Sequence, residues 1–69
     1  MNDQRVAFEA PKLALTRVEA ADALDTSPAT LDRWVKRGLI HPSRAGRRPL
    51  FSIAELERFL RDTATPVAV

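Results

Sequence analysis

Apolar residues recur at helical spacing in a first short segment of the chain. Val18, Ala21 and Leu24 fall on one face of a helix that the pattern predicts over residues 17–24. Thr16 and Glu19 form a capping box at its start, in which each side chain binds a backbone N–H of the other residue. Because a helix this short is unstable alone in water, its apolar face must pack on the rest of the chain.

A second helix is predicted from Pro28 to Arg37. Ser27 is a strong N-cap, and proline is favoured at the first helical position because its missing N–H costs nothing there. Gly38 fits the left-handed residue that commonly ends a helix. Two short helices joined by a three-residue turn have the spacing of a helix-turn-helix motif.

Two short β-prone runs follow, at residues 39–42 and 49–51, with the polar loop 43–48 between them. This pattern predicts a β-hairpin with Gly46 near its tip. Pro42 and Pro49 cannot donate to a strand ladder, so the strands must be short.

A third helix is predicted over residues 53–62. Ser52 and Glu55 form a second capping box, and Glu57 and Arg61 have the spacing of a favourable ion pair. The apolar residues of this helix are Ile53, Leu56, Phe59 and Leu60. With the apolar face of the second helix (Leu31, Trp34 and Val35), we expect a core of Val18, Leu24, Ile40, Phe51, Leu56 and Phe59. Trp34 is expected to be a core anchor rather than a base-stacking platform.

The pattern therefore predicts one α+β, mostly helical domain over residues 13–62, with three short helices and a two-stranded hairpin. Residues 1–12 are expected to form a flexible arm and residues 63–69 a flexible tail. The chain has no cysteine and one histidine, so we expect no disulfide, metal site or other cofactor. It shows no membrane span, signal peptide or catalytic constellation. We expect a cytoplasmic, nucleoid-associated protein that is not an enzyme.

Positive charge is concentrated in one part of the chain. The net charge of the chain is only +2, but residues 31–49 contain six basic residues and a single acid, Asp32. Such a patch on a nearly neutral body is typical of a surface that faces phosphate, although a solvated charged face would look similar. The basic residues are Arg33, Lys36, Arg37, Arg44, Arg47 and Arg48.

The outward face of the second helix suits the major groove of duplex DNA. Ala29 lets the backbone approach closely, and Arg33 is the best candidate to read guanine. Asp32 either accepts from a cytosine amino group or holds Arg33 or Lys36 in position, and we favour the second role. The predicted contacts are Pro28, Ala29, Thr30, Asp32, Arg33, Lys36 and Arg37 on this helix, Arg44, Gly46, Arg47 and Arg48 on the hairpin, and Thr16 and Arg17 at the start of the first helix.

The run from Leu15 to Leu60 resembles the excisionase family of DNA-binding domains, relatives of the MerR-type winged helix-turn-helix. The resemblance lies in the opening Leu15-Thr16-Arg17-Val18-Glu19-Ala20-Ala21, the second helix from Ser27 to Gly38, the arginine-bearing hairpin Arg44-Ala45-Gly46-Arg47-Arg48 and the closing helix from Ser52 to Leu60. The family includes phage and plasmid excisionases, which bind repeated sites, bend attachment DNA and direct an integrase toward excision. The resemblance thus implies double-stranded DNA as a partner, with further copies bound head-to-tail and an integrase.

Two other functions stay open. A small MerR-like transcription regulator would use the same surface. MerR-type activators usually carry an effector domain and a long coiled coil, and the sequence shows neither pattern, so we favour the excisionase. A protein-interaction module would show no salt-dependent DNA binding. We expect neither a membrane nor a small-molecule ligand as a partner. The region of Phe8 and the tail Pro66-Val67-Ala68-Val69 are candidate contacts with a neighbouring copy or an integrase.

Overall fold

The computed structural model describes residues 12–65 of the 69-residue chain. It contains three helices, α1 (Arg17–Ala23), α2 (Pro28–Lys36) and α3 (Ile53–Thr63), and two strands, β1 (Ala14–Leu15) and β2 (Phe51–Ser52). The three helices, their order and the α+β class are as predicted from the sequence. The region of Phe8, with most of the predicted arm, and the segment from Pro66 onward lie outside the described residues.

The pairing of the strands differs in part from the prediction. β1 pairs antiparallel with β2, placing Ala14 opposite Ser52 and Leu15 opposite Phe51. The predicted hairpin is closed by a single bridge, in which Ser43 and Leu50 exchange backbone hydrogen bonds of 2.7 and 2.9 Å. The prolines at positions 42 and 49 flank this bridge and have no N–H to extend it. Residues 39–42 therefore form no strand. We call residues 43–50 the wing, and the fold is a small winged helix-turn-helix.

The ends of α1 and α2 are fixed by local hydrogen bonds. The Thr16–Glu19 capping box is present, and the Ser27 hydroxyl accepts from the N–H of Thr30. Gly38 ends α2 with φ +79°, and the N–H groups of residues 38 and 39 bind the carbonyls of residues 35 and 34, both at 2.9 Å. α1 ends in the same way, but there Asp25 takes the left-handed conformation, with φ +57°.

The start of α3 departs from its prediction. The Ser52 hydroxyl accepts from the Glu55 N–H, but the Glu55 carboxylate does not return to Ser52. It accepts instead from the backbone N–H of His41, at 2.8 Å, and from Arg58. The predicted Glu57–Arg61 pair is also absent, and the ion pairs within this helix are those of Arg58 with Glu55 and Asp62.

The core lies between the three helices and β2. Its buried side chains are Ala20, Ala21, Leu31, Ile40, Phe51, Leu56 and Phe59. The ring centroids of Trp34 and Phe59 are 5.0 Å apart, so Trp34 packs on the core as predicted, although it is only half-buried.

Val18, which was predicted to lie in the core, is exposed, and so is Leu60, which belongs to the apolar pattern of the third helix. Val18 is 62% exposed and Leu60 is 54% exposed. In α1 the inward face is formed by Ala20 and Ala21, whose small side chains allow α1 to pack closely on α2. Val18 precedes Ala21 by one helical turn, but its side chain lies at the exposed edge of that face. No helix within residues 12–65 has the length and apolar character needed to span a membrane.

Candidate nucleic-acid interface

The outward face of α2 carries Ala29, Arg33 and Lys36, all exposed. Arg33 Nη2 donates to Thr30 Oγ1 at 3.2 Å, and the Ser27 hydroxyl lies 3.1 Å from the same oxygen. These contacts turn the Arg33 side chain toward the first turn of α2. The first turns of a recognition helix are the part that reaches base edges, so this orientation suits the predicted role of Arg33.

Asp32 has a different partner from the two that the sequence suggested. Its carboxylate binds neither Arg33 nor Lys36 and accepts two hydrogen bonds from Arg17, with Nε–Oδ1 at 2.8 Å and Nη2–Oδ2 at 2.7 Å. α1 brings Arg17 across the turn to α2, a contact that sequence spacing does not reveal. The hydrogen bonds from Arg17 lower the pKa of Asp32 and raise the pKa of Arg17. The only acid of the basic segment is therefore neutralised by a residue from another helix.

The wing residues Arg44, Gly46, Arg47 and Arg48 are all exposed. Together with Arg33 and Lys36 of α2 and with Arg37, the C-cap of that helix, the three wing arginines make six cations. None of these six forms an ion pair with an acid in the part of the chain that the structure describes. A cation without an internal acid partner can bind phosphate without first breaking an ion pair. We call these six side chains the cationic set.

Two grooves lie between the wing and the helices, one beside both α2 and α1 and the other beside α1 alone. The first, of about 150 Å³, is lined by Lys36 of α2 and Arg44 of the wing. The second, of about 250 Å³, lies between the start of α1 and the wing and is lined by Arg48. Arg17 lines both grooves. The wing, α2 and the start of α1 thus form adjoining parts of one face.

The remaining predicted contacts have structural roles. The half-buried Thr16 is the N-cap of α1, and its hydroxyl accepts from the Glu19 N–H at 3.3 Å. Glu19 also pairs with Lys12, at 2.6 Å, and this pair together with the Thr16 N–H lowers the pKa of Glu19. The half-buried Pro28 is the first residue of α2.

A hydrogen-bond network that sequence reasoning missed fixes the segment between α2 and the wing. Arg58 Nη2 donates to the Leu39 carbonyl at 2.9 Å, and Glu55 accepts from the His41 N–H. The hydrogen bond from Arg58, with a further contribution from the His41 N–H, lowers the pKa of Glu55 from 4.5 to about 2. The Ser52–Glu55 spacing predicted a local role for Glu55 in a capping box, but not its contact with His41 in a distant part of the chain.

The fold and this face together define a small winged helix-turn-helix domain of the DNA-binding type. A comparison with protein families matches residues 14–64 to the model of the helix-turn-helix domain. The chain belongs to this DNA-binding family, which includes excisionase-like proteins. No curated protein and no solved structure matches the chain.

Proposed function

We propose that the chain binds duplex DNA sequence-specifically, with α2 in the major groove and the wing on the neighbouring minor groove or its phosphates. The observation that carries the proposal is the cationic set, whose members lie on two adjoining elements and have no acid partner among residues 12–65. Ala29 and Arg33 are the proposed contacts to base edges, while Lys36 and Arg37 bind phosphates. Arg44, Arg47 and Arg48 follow the narrow groove, where negative potential is concentrated.

The proposed biological role is that of an excisionase, which binds repeated sites, bends attachment-site DNA and directs an integrase toward excision. This role is supported by the resemblance of residues 15–60 to that family and by membership of the helix-turn-helix domain family. Head-to-tail binding of further copies and contact with the integrase belong to the same proposal.

A footprint on the DNA that flanks the gene tests the proposal. The excisionase role predicts protection of clustered direct repeats, a bend measured by gel mobility of circularly permuted fragments, and stimulation of integrase-mediated excision. Protection of a single site that overlaps a promoter, without any effect on recombination, would contradict that role and indicate a transcription regulator.

Binding of the protein to DNA at several salt concentrations distinguishes a DNA-binding function from a protein-interaction function. About six phosphate contacts predict a log–log salt slope on the order of −5. Binding that is absent, or that does not weaken with salt, would contradict the assignment of this face to DNA.

A further inference from the structure

The Arg17–Asp32 ion pair lies where α1, α2 and the wing meet. The side chains are 45% and 53% exposed, and ion pairs this exposed contribute little to stability. The pair also places the one acid of residues 31–49 on the face that carries the cationic set, where a carboxylate repels phosphate. Neither stability nor charge alone therefore accounts for an aspartate at this position.

The geometry leaves part of Arg17 available to a ligand. The carboxylate occupies Nε and one hydrogen of Nη2, while a guanidinium carries five N–H donors. Within residues 12–65, Nη1 donates to no protein acceptor. Arg17 also lines both grooves between the wing and the helices, and it shares the first groove with Lys36 and the second with Arg48.

We propose that Asp32 is a positioning residue for DNA binding, which holds Arg17 so that its remaining N–H donors bind a phosphate between α2 and the wing. This inference rests on the proposed DNA binding. A two-point contact fixes the planar guanidinium before DNA arrives, so less side-chain freedom is lost when the phosphate binds. The same contact neutralises the carboxylate, which would otherwise face the phosphate.

Asp32→Asn tests the proposal, because positioning and net charge predict opposite effects of this substitution on DNA binding. The substitution raises the net charge of the chain from +2 to +3, which by itself strengthens binding to DNA. Positioning predicts the reverse, an affinity for duplex DNA that is roughly threefold to tenfold weaker at fixed salt. Asp32→Glu, which keeps the carboxylate, recovers part of the loss. Asp22→Asn is the control, since Asp22 is exposed on α1 and binds no side chain among residues 12–65.

Two variants of Arg17 complete the test. Arg17→Lys keeps the charge but cannot form the two-point contact, so we expect it to bind DNA more weakly than the wild type. Arg17→Ala should reduce the salt slope by about one, and in that background Asp32→Asn should strengthen binding. Circular dichroism of each variant is the check that it is folded.

The outcomes separate this proposal from the proposed function. If the wild type shows no salt-dependent binding to DNA, the proposed function fails and the inference fails with it. If the wild type binds DNA but Asp32→Asn binds as tightly or more tightly, or Arg17→Lys binds like the wild type, DNA binding stands and the positioning role is wrong.

Discussion

Glu55→Gln should weaken the contact between α3 and the segment that leads into the wing. In the wild type the carboxylate accepts from the His41 N–H at 2.8 Å and from Arg58, whose guanidinium also reaches the Leu39 carbonyl. The glutamate side chain is only 16% exposed, so water replaces these partners poorly. Hydrogen bonds to charged groups contribute about 1.5–3 kcal/mol each. Because glutamine keeps one acceptor, we expect the free energy of unfolding to fall by about 1–2 kcal/mol.

The loss should depend on pH. The pKa of Glu55 is lowered from 4.5 to about 2, chiefly by Arg58. A carboxyl group whose pKa is lower in the folded state contributes stability that is complete above its unfolded pKa. This contribution declines as the pH falls from about 5 toward 2. The difference between wild type and Glu55→Gln should therefore be largest near pH 7 and clearly smaller at pH 3.

Thermal unfolding followed by circular dichroism measures both effects. For a domain of this size, each kcal/mol lowers the Tm by about 4–8 °C. Glu57→Gln is the matched control, because Glu57 is an exposed residue of the same helix without an ion pair in the described part of the chain. An equal loss for Glu55→Gln at pH 7 and pH 3, or a loss no larger than that of Glu57→Gln, would refute the reasoning.

Three further substitutions have defined outcomes. Trp34→Ala should lower the free energy of unfolding by about 2–4 kcal/mol, measured by urea unfolding, because it removes the contact of a half-buried ring with Phe59. A fully stable variant would show that the core is misplaced. Asp25→Gly should raise stability by about 0.5–1 kcal/mol in the same assay, because the residue has φ +57°, and a loss would contradict strain at that turn. Arg33→Ala should weaken the free energy of binding to the specific DNA site by roughly 1–3 kcal/mol and relax discrimination at one base pair. Unchanged discrimination would exclude direct readout by Arg33.

The helices could be predicted because their signals are local. Thr16, Ser27 and Ser52 each bind a backbone N–H three residues ahead, so the start of every helix is encoded within one turn of sequence. Gly38 gave the end of α2 in the same way. The end of α1 lacked this signal, because an aspartate takes the position that glycine usually fills.

Contacts between distant segments could not be predicted from such signals. Phe51 pairs across the sheet with Leu15, and Asp32 forms an ion pair with Arg17. In both cases the partner lies in an element far along the chain, and the local sequence pattern does not indicate the contact. The Glu55 carboxylate had an equally good local partner in the capping box, and only the packing of α3 against the chain after α2 brings it to His41. Val18 is exposed although it has the helical spacing of the buried Ala21, because periodicity alone does not fix which edge of an apolar face is covered.

The central claim is that the wing and α2 bind one duplex together. The salt dependence of binding to the footprinted site tests it most directly, in the wild type and in the double variant Arg47→Ala/Arg48→Ala. Arg61→Ala is the control, because Arg61 is an exposed cation of α3 without an acid partner among residues 12–65. We predict a wild-type log–log slope on the order of −5, a slope shallower by about 1.8 in the double variant and no change in the control. A double variant with the wild-type slope and affinity would contradict the claim.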